Sequence, residues 1–115
     1  MAYPYGTYND RVVEIAREEG VRYARTCVET EGFAVPGDLL RLPSTCRHAN
    51  PRLLELARAF VESEPETPQL FYLWGHSYEF DQFDNWALIE DFCRIVSGRD
   101  DIFYGTNSEV LFGAQ

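Results

Sequence analysis

The chain has 115 residues, 45% of them hydrophobic, 15% aromatic and 25% charged, with 8 Gly, 6 Pro and 3 Cys. That is material for one globular domain, and the apolar bulk argues against disorder. Nineteen acidic residues face ten basic ones, all arginine, for a net charge of −9; such a chain repels phosphate backbones and anionic lipid, which disfavours nucleic acid and membrane surfaces as partners. No apolar run reaches the ~20 residues of a bilayer span. The opening Met1-Ala2-Tyr3-Pro4-Tyr5 has neither the basic start nor the apolar stretch of a secretory leader, so a cytoplasmic setting is expected for these residues.

Helical and extended signals alternate along the chain. A helix is expected over 9–19, with Val12, Ile15 and Ala16 on its buried face and Gly20 as its stop. A strand follows over 21–28, then a long irregular connection over 29–49. Asn50-Pro51 opens a second helix, in which Leu53, Leu54, Ala57, Phe60 and Val61 keep the 3.6-residue period until Pro65. Leu70-Phe71-Tyr72-Leu73-Trp74 is too short for a helix and is bounded by Pro68 and Gly75, which predicts a strand covered on both faces. A third helix is expected over 84–96, with Trp86, Ile89, Cys93 and Val96 inward, and a last strand over 101–104. Thr106-Asn107-Ser108-Glu109 has the form of a capping box opening a terminal helical turn.

This alternation predicts an α/β fold with parallel strands. Three or so parallel strands leave two open edges. The expectation is therefore a single partial domain spanning 1–115, part of a larger barrel or sheet, rather than a small three-layer domain complete in itself. Open edges also predict pairing, either with a second copy or with a separately encoded half.

His76 is the most informative residue for chemistry. It follows the strand in Leu73-Trp74-Gly75-His76-Ser77-Tyr78-Glu79, and in parallel α/β folds the carboxyl ends of strands form the functional rim. An imidazole there can act as acid or base, with Glu79 or Asp81 to hold it protonated; the alternative is a His that bonds only its own loop. His48 lies in the long connection. A zinc site built from Cys46, His48 and His76 lacks any short ligand spacing, and the three cysteines read best as reduced, mostly buried thiols. Arg25, on a strand, needs a partner such as Glu79, as a structural ion pair or a substrate contact. Tyr3-Pro4-Tyr5-Gly6 is a rigid turn that presents backbone N–H groups toward negative charge. Trp74, Tyr72 and Tyr78 are candidates to stack on sugar faces, or simply core aromatics. The sequence contains no Gly-rich phosphate loop, nucleophile elbow or paired metal-ligand motif.

Tyr3-Pro4-Tyr5-Gly6 ahead of a helix, with a later Leu73-Trp74-Gly75-His76 strand end, resembles the polysaccharide deacetylase family, the NodB-homology domain. The likeness spans nearly the whole chain but only the C-terminal half or so of that family's domain. It implies the C-terminal part of a distorted (β/α) barrel with parallel strands that removes N-acetyl or other acyl groups from carbohydrate. It further implies a divalent metal, usually zinc, in the complete domain, with none held by this chain. By the same likeness His76 would be the general acid and the Tyr5 N–H an oxyanion donor. Arg25, His48, Trp74, Tyr78 and Glu79, from their own positions, are the expected substrate-binding residues. The family's Asp-Asp motif and paired-His motif, which carry the base and the metal ligands, have no counterpart here, its Asp-rich motif with Trp has no place either, and Ala2 stands where its third motif usually opens with Arg. A degenerate barrel piece that binds sugar or protein without catalysis is the other expectation.

Overall fold

The computed structural model describes residues 1–113. Its elements in chain order are α1 (Asp10–Glu18), β1 (Arg25–Glu29), β2 (Leu42–Ser44), β3 (Cys46–Arg47), α2 (Leu53–Glu62), β4 (Leu73–Trp74), α3 (Tyr78–Gln82), α4 (Trp86–Val96) and α5 (Asn107–Phe112), with single 3₁₀ turns at Pro4–Gly6 and Leu39–Arg41. The described strands make a mixed α/β fold with two short parallel pairs. In one, Arg25 of β1 lies opposite Leu42 and Glu29 opposite Ser44; in the other, Cys46 lies opposite Leu73 and Arg47 opposite Trp74. Ala2 adds a parallel bridge to Arg25. The pairing thus runs Ala2–β1–β2 and, as a separate pair, β3–β4, with an antiparallel bridge between Ala34 and Gln69.

Thr45 is the joint between β2 and β3. Its hydroxyl donates to the Gly32 carbonyl at 3.0 Å and accepts from the Tyr72 N–H at 3.0 Å, while its own N–H donates to the Tyr72 carbonyl at 2.9 Å. The strand of 42–47 falls inside the connection expected to be irregular, because Pro43 and the polar Ser44-Thr45 pair hide it. Pro43 is tolerated since the ladder bonds around it, Leu42 N–H to Ala24 and Thr30 N–H to the Ser44 carbonyl, need no donor at that position.

Two apolar clusters hold the layers. Cys46, Leu53, Leu56, Ala57 and Phe92 pack α2 and α4 against the β3–β4 pair, with Phe71 and Leu73 at the edge. Tyr3, Val13, Ala24 and Leu40 form the second, where the Tyr3 hydroxyl donates to the Leu40 carbonyl at 2.7 Å. Burying one such leucine side chain stabilises by about 1.5–3 kcal/mol.

Several expectations need correction. The face that α1 buries carries Val13 and Ala16, while Val12 and Ile15 are exposed; the Asn9 side chain caps this helix by accepting from the Val12 N–H at 2.9 Å. The first strand begins only at Arg25: Gly20 turns the chain at a φ of +85° and 21–24 is irregular backbone, although Ala24 already bonds Leu39 and Leu42. In α4 the buried residue is Phe92, and Cys93 and Trp86 face out. The 70–74 run is half-buried and only Leu73–Trp74 is regular strand. The strand expected over 101–104 is irregular backbone with Phe103 exposed. The capping box at Thr106 and Glu109 is present.

Candidate functional site

The carboxyl ends of the parallel segments carry Pro4–Gly6 after Ala2, Glu29 as the last residue of β1, His48 after β3 and Gly75-His76 after β4. The chain turns at His76 into α3, and the Glu79 N–H donates to the His76 carbonyl at 3.1 Å. That one turn folds the Glu79 side chain back, placing Oε1 2.7 Å from His76 Nδ1. Glu79 is nearly enclosed while the His76 side chain is 52% exposed. Oε2 of Glu79 faces the Arg47 guanidinium at 3.6 Å and His48 Nε2 at 3.9 Å. The hydrogen bond from His76, then the His48 and Arg47 charges, hold the Glu79 carboxyl below the usual carboxylate range against the opposing effect of burial.

An ionised carboxylate on Nδ1 fixes the imidazole with its proton on that nitrogen. The opposite nitrogen, Nε2, is then the one that accepts or delivers a proton. Tyr78 lies stacked beside the ring, centroids 5.4 Å apart, and is 63% exposed. Trp74 meets it edge-on at 5.7 Å. Asp81, the other expected partner, accepts instead from the Trp86 indole N–H at 2.8 Å.

His48 is only 3% exposed and lies under this surface, its ring 4.4 Å from that of Phe80. The structure places it beside Glu79 and not on an open face. Arg25 does not pair with Glu79. Its guanidinium lies over the Trp74 ring, 3.9 Å from the centroid. Arg47, not singled out from the sequence, is the cation that reaches Glu79; its position one residue ahead of a strand-end His was the signal available.

Tyr5 sits on the same rim but follows the first extended segment, while His76 follows the last. Its backbone is left-handed, with φ 55° and ψ 17°. The turn is fixed by bonds from Gly6 N–H to the Tyr3 carbonyl at 2.9 Å and from Thr7 N–H to the Pro4 carbonyl at 3.1 Å. A non-glycine held there costs on the order of 1 kcal/mol or more, and such strain gathers at functional turns.

Comparison with protein-family models, curated proteins and solved structures returns no match.

The zinc implied by the family resemblance finds no ligand set among the described residues: His48 and His76 both approach Glu79, yet no group of three His, Cys, Asp or Glu side chains is placed to hold a metal ion. Cys46 is packed in the core, where burial, with Glu29 and Glu31 adding to it, pushes its thiol up to about 11. Both Glu79 oxygens are committed, and a guanidinium occupies the place next to Oε2. These residues do not fit a metal. The thiol expectation is corrected in part as well: Cys27 and Cys93 are exposed and all three are free.

A cavity of about 530 Å³ opens elsewhere, among Val35, Leu39, Leu70, Phe71, Phe103 and Leu111. It lies where the chain enters β2 and β4, and neither His76 nor Glu79 lines it. No helix is long and apolar enough to cross a membrane among the described residues.

Proposed function

We propose that the chain is the C-terminal arc of a NodB-type (β/α) barrel and provides the proton-donating side of a carbohydrate deacetylase site. The reaction is hydrolysis of N-acetyl, or another acyl, groups on a carbohydrate, completed by a second half that carries the base and the divalent metal. The observation that carries this reading is the His76–Glu79 pair, at 2.7 Å on a half-exposed imidazole at the end of a parallel strand. Parallel pairing in chain order also favours an arc of barrel, since a doubly wound sheet reverses its order.

In this reading protonated His76 gives the proton on Nε2 to the amine nitrogen as the acyl C–N bond breaks. Glu79 keeps Nδ1 protonated and the ring aimed, and the Tyr5 turn offers a backbone N–H to the oxyanion. Tyr78 gives the sugar a flat face to lie on, and Trp74 offers the face that Arg25 does not cover. The metal and the base would come from outside these residues, and no step above depends on either.

The test is acetate release from chitooligosaccharides by the protein expressed with its upstream coding sequence. His76→Ala should lower kcat/KM by about 10²–10⁴-fold, the usual worth of a positioned acid. An upstream frame without an Asp-Asp motif and paired histidines, or full activity in His76→Ala, overturns the reading. The exposed Tyr78 beside His76 favours one other function, a sugar-binding module without catalysis. Chitooligosaccharide binding heat that Trp74→Ala removes, with no acetate released, would establish that instead.

A further inference from the structure

The four partly buried arginines of the described chain are Arg25, Arg41, Arg47 and Arg99. Arg41, Arg47 and Arg99 each have a carboxylate within 4.0 Å. Arg25 has none among the described residues, in a sequence with 19 carboxylates against 10 arginines. Its recorded side-chain hydrogen bond runs from one terminal nitrogen to the Thr26 carbonyl at 2.9 Å.

The Arg25 guanidinium lies over the indole of Trp74 at 3.9 Å, and Arg47 stands 5.8 Å from the same ring. A guanidinium carbon set over an aromatic face leaves the N–H groups not bonded to Thr26 available to an anion. Trp74 Nε1 is itself buried without an acceptor among the described residues. A partly desolvated cation with only one N–H of its fork bonded, to the Thr26 carbonyl, is costly unless an anion completes it.

We propose that Arg25, held over the face of Trp74, is a receptor for a carboxylate. The fork geometry selects a planar, two-oxygen anion over a neutral sugar. The carboxylate has two sources, a sugar acid bound as ligand or a protein side chain from a complementary chain, and both present the same group to Arg25. This assignment does not rest on the deacetylase reading and stands or falls without any measurement of hydrolysis.

Trp74 provides the readout, because its emission responds to what touches the guanidinium above it. The experiment uses the Trp86→Phe chain, which keeps Trp74 as the one indole of two, titrated at fixed ionic strength with sodium galacturonate, sodium acetate and N-acetylglucosamine. Galacturonate should give a saturable change and N-acetylglucosamine none. Arg25→Gln should weaken the galacturonate response about tenfold or more, and Arg25→Lys, which keeps charge without the fork, should fall between. Competition by acetate supports a site that any carboxylate side chain can enter; a response to galacturonate alone supports the sugar acid. In the unmutated chain, galacturonate should move the Arg25 Nε–H resonance, a readout that needs no variant to fold. No saturable response, an unchanged response in Arg25→Gln, or an unmoved Arg25 resonance overturns the proposal.

Discussion

His48 lies so close beneath Gly75 that a Cβ at position 75 would stand 1.8 Å from its Nδ1. The ring is buried and wedged against Phe80, so it has no free end to swing aside. Gly75 is the residue between β4 and His76, and its missing side chain is what allows the two strand ends to approach.

Gly75→Ala should therefore destabilise the fold by about 1–3 kcal/mol, as overpacking of a tight site does. Urea unfolding followed by circular dichroism measures it. A midpoint equal to that of the parent chain would mean the ring has room the structure does not give it.

The Glu79 carboxyl is held below its ordinary value of 4.5, first by the His76 hydrogen bond. A depressed folded value means that this ionisation stabilises the fold above about 4.5 and is lost as pH falls through the folded value. Glu79→Gln should thus be less stable than the parent at pH 7, and the gap between the two should shrink steadily below pH 4.5. Urea unfolding at pH 7, 5 and 3.5 reads this directly. A gap that stays constant with pH would assign the loss to packing and not to the charge.

Thiol reactivity should divide two to one. Cys27 and Cys93 are exposed, and Cys46 is enclosed with its thiol pushed up to about 11, so only a trace of reactive thiolate exists there at pH 8. A disulfide exchange reagent should titrate two thiols in the folded chain and the third only in denaturant. Rapid reaction of all three in buffer would contradict the packing of β3 on α2.

Leu53→Ala should cost about 2–5 kcal/mol, because Leu53 is fully buried in the cluster with Cys46, Leu56, Ala57 and Phe92. The same truncation at Val12, whose side chain is exposed on α1, should lie within about 0.5 kcal/mol of the parent. Thermal unfolding of the pair checks the two faces at once.

The contrast between Val12 and Leu53 also marks what the sequence made legible. The existence and type of α1, α2, α4 and α5 follow from local signals and periodicity: Asn9, Gly98 and the Thr106–Glu109 box act at helix ends, while Asn50 accepts from the Arg52 N–H in the turn ahead of α2, which begins without a side-chain cap at Leu53. Which face of α1 or α4 turns inward did not follow, since Val12 and Val13 both continue apolar rows and only tertiary packing chooses between them. The strand of 42–47 stayed hidden for the same reason: its bonds run to residues such as Ala24 and Tyr72, far away in sequence, and Pro43 suppresses its local signal. At the rim, His76 and Glu79 lie three residues apart and so were visible as a pair. Arg25 against Trp74 spans the fold, and an acidic partner was the natural expectation from sequence alone.

The Thr45 hydroxyl is fastened on one side to the loop that leaves β1, at Gly32, and on the other to the backbone of Tyr72, two residues before Trp74. It behaves as a hinge pin: neither the loop nor the segment leading to His76 can slide past the other while that pin is in place.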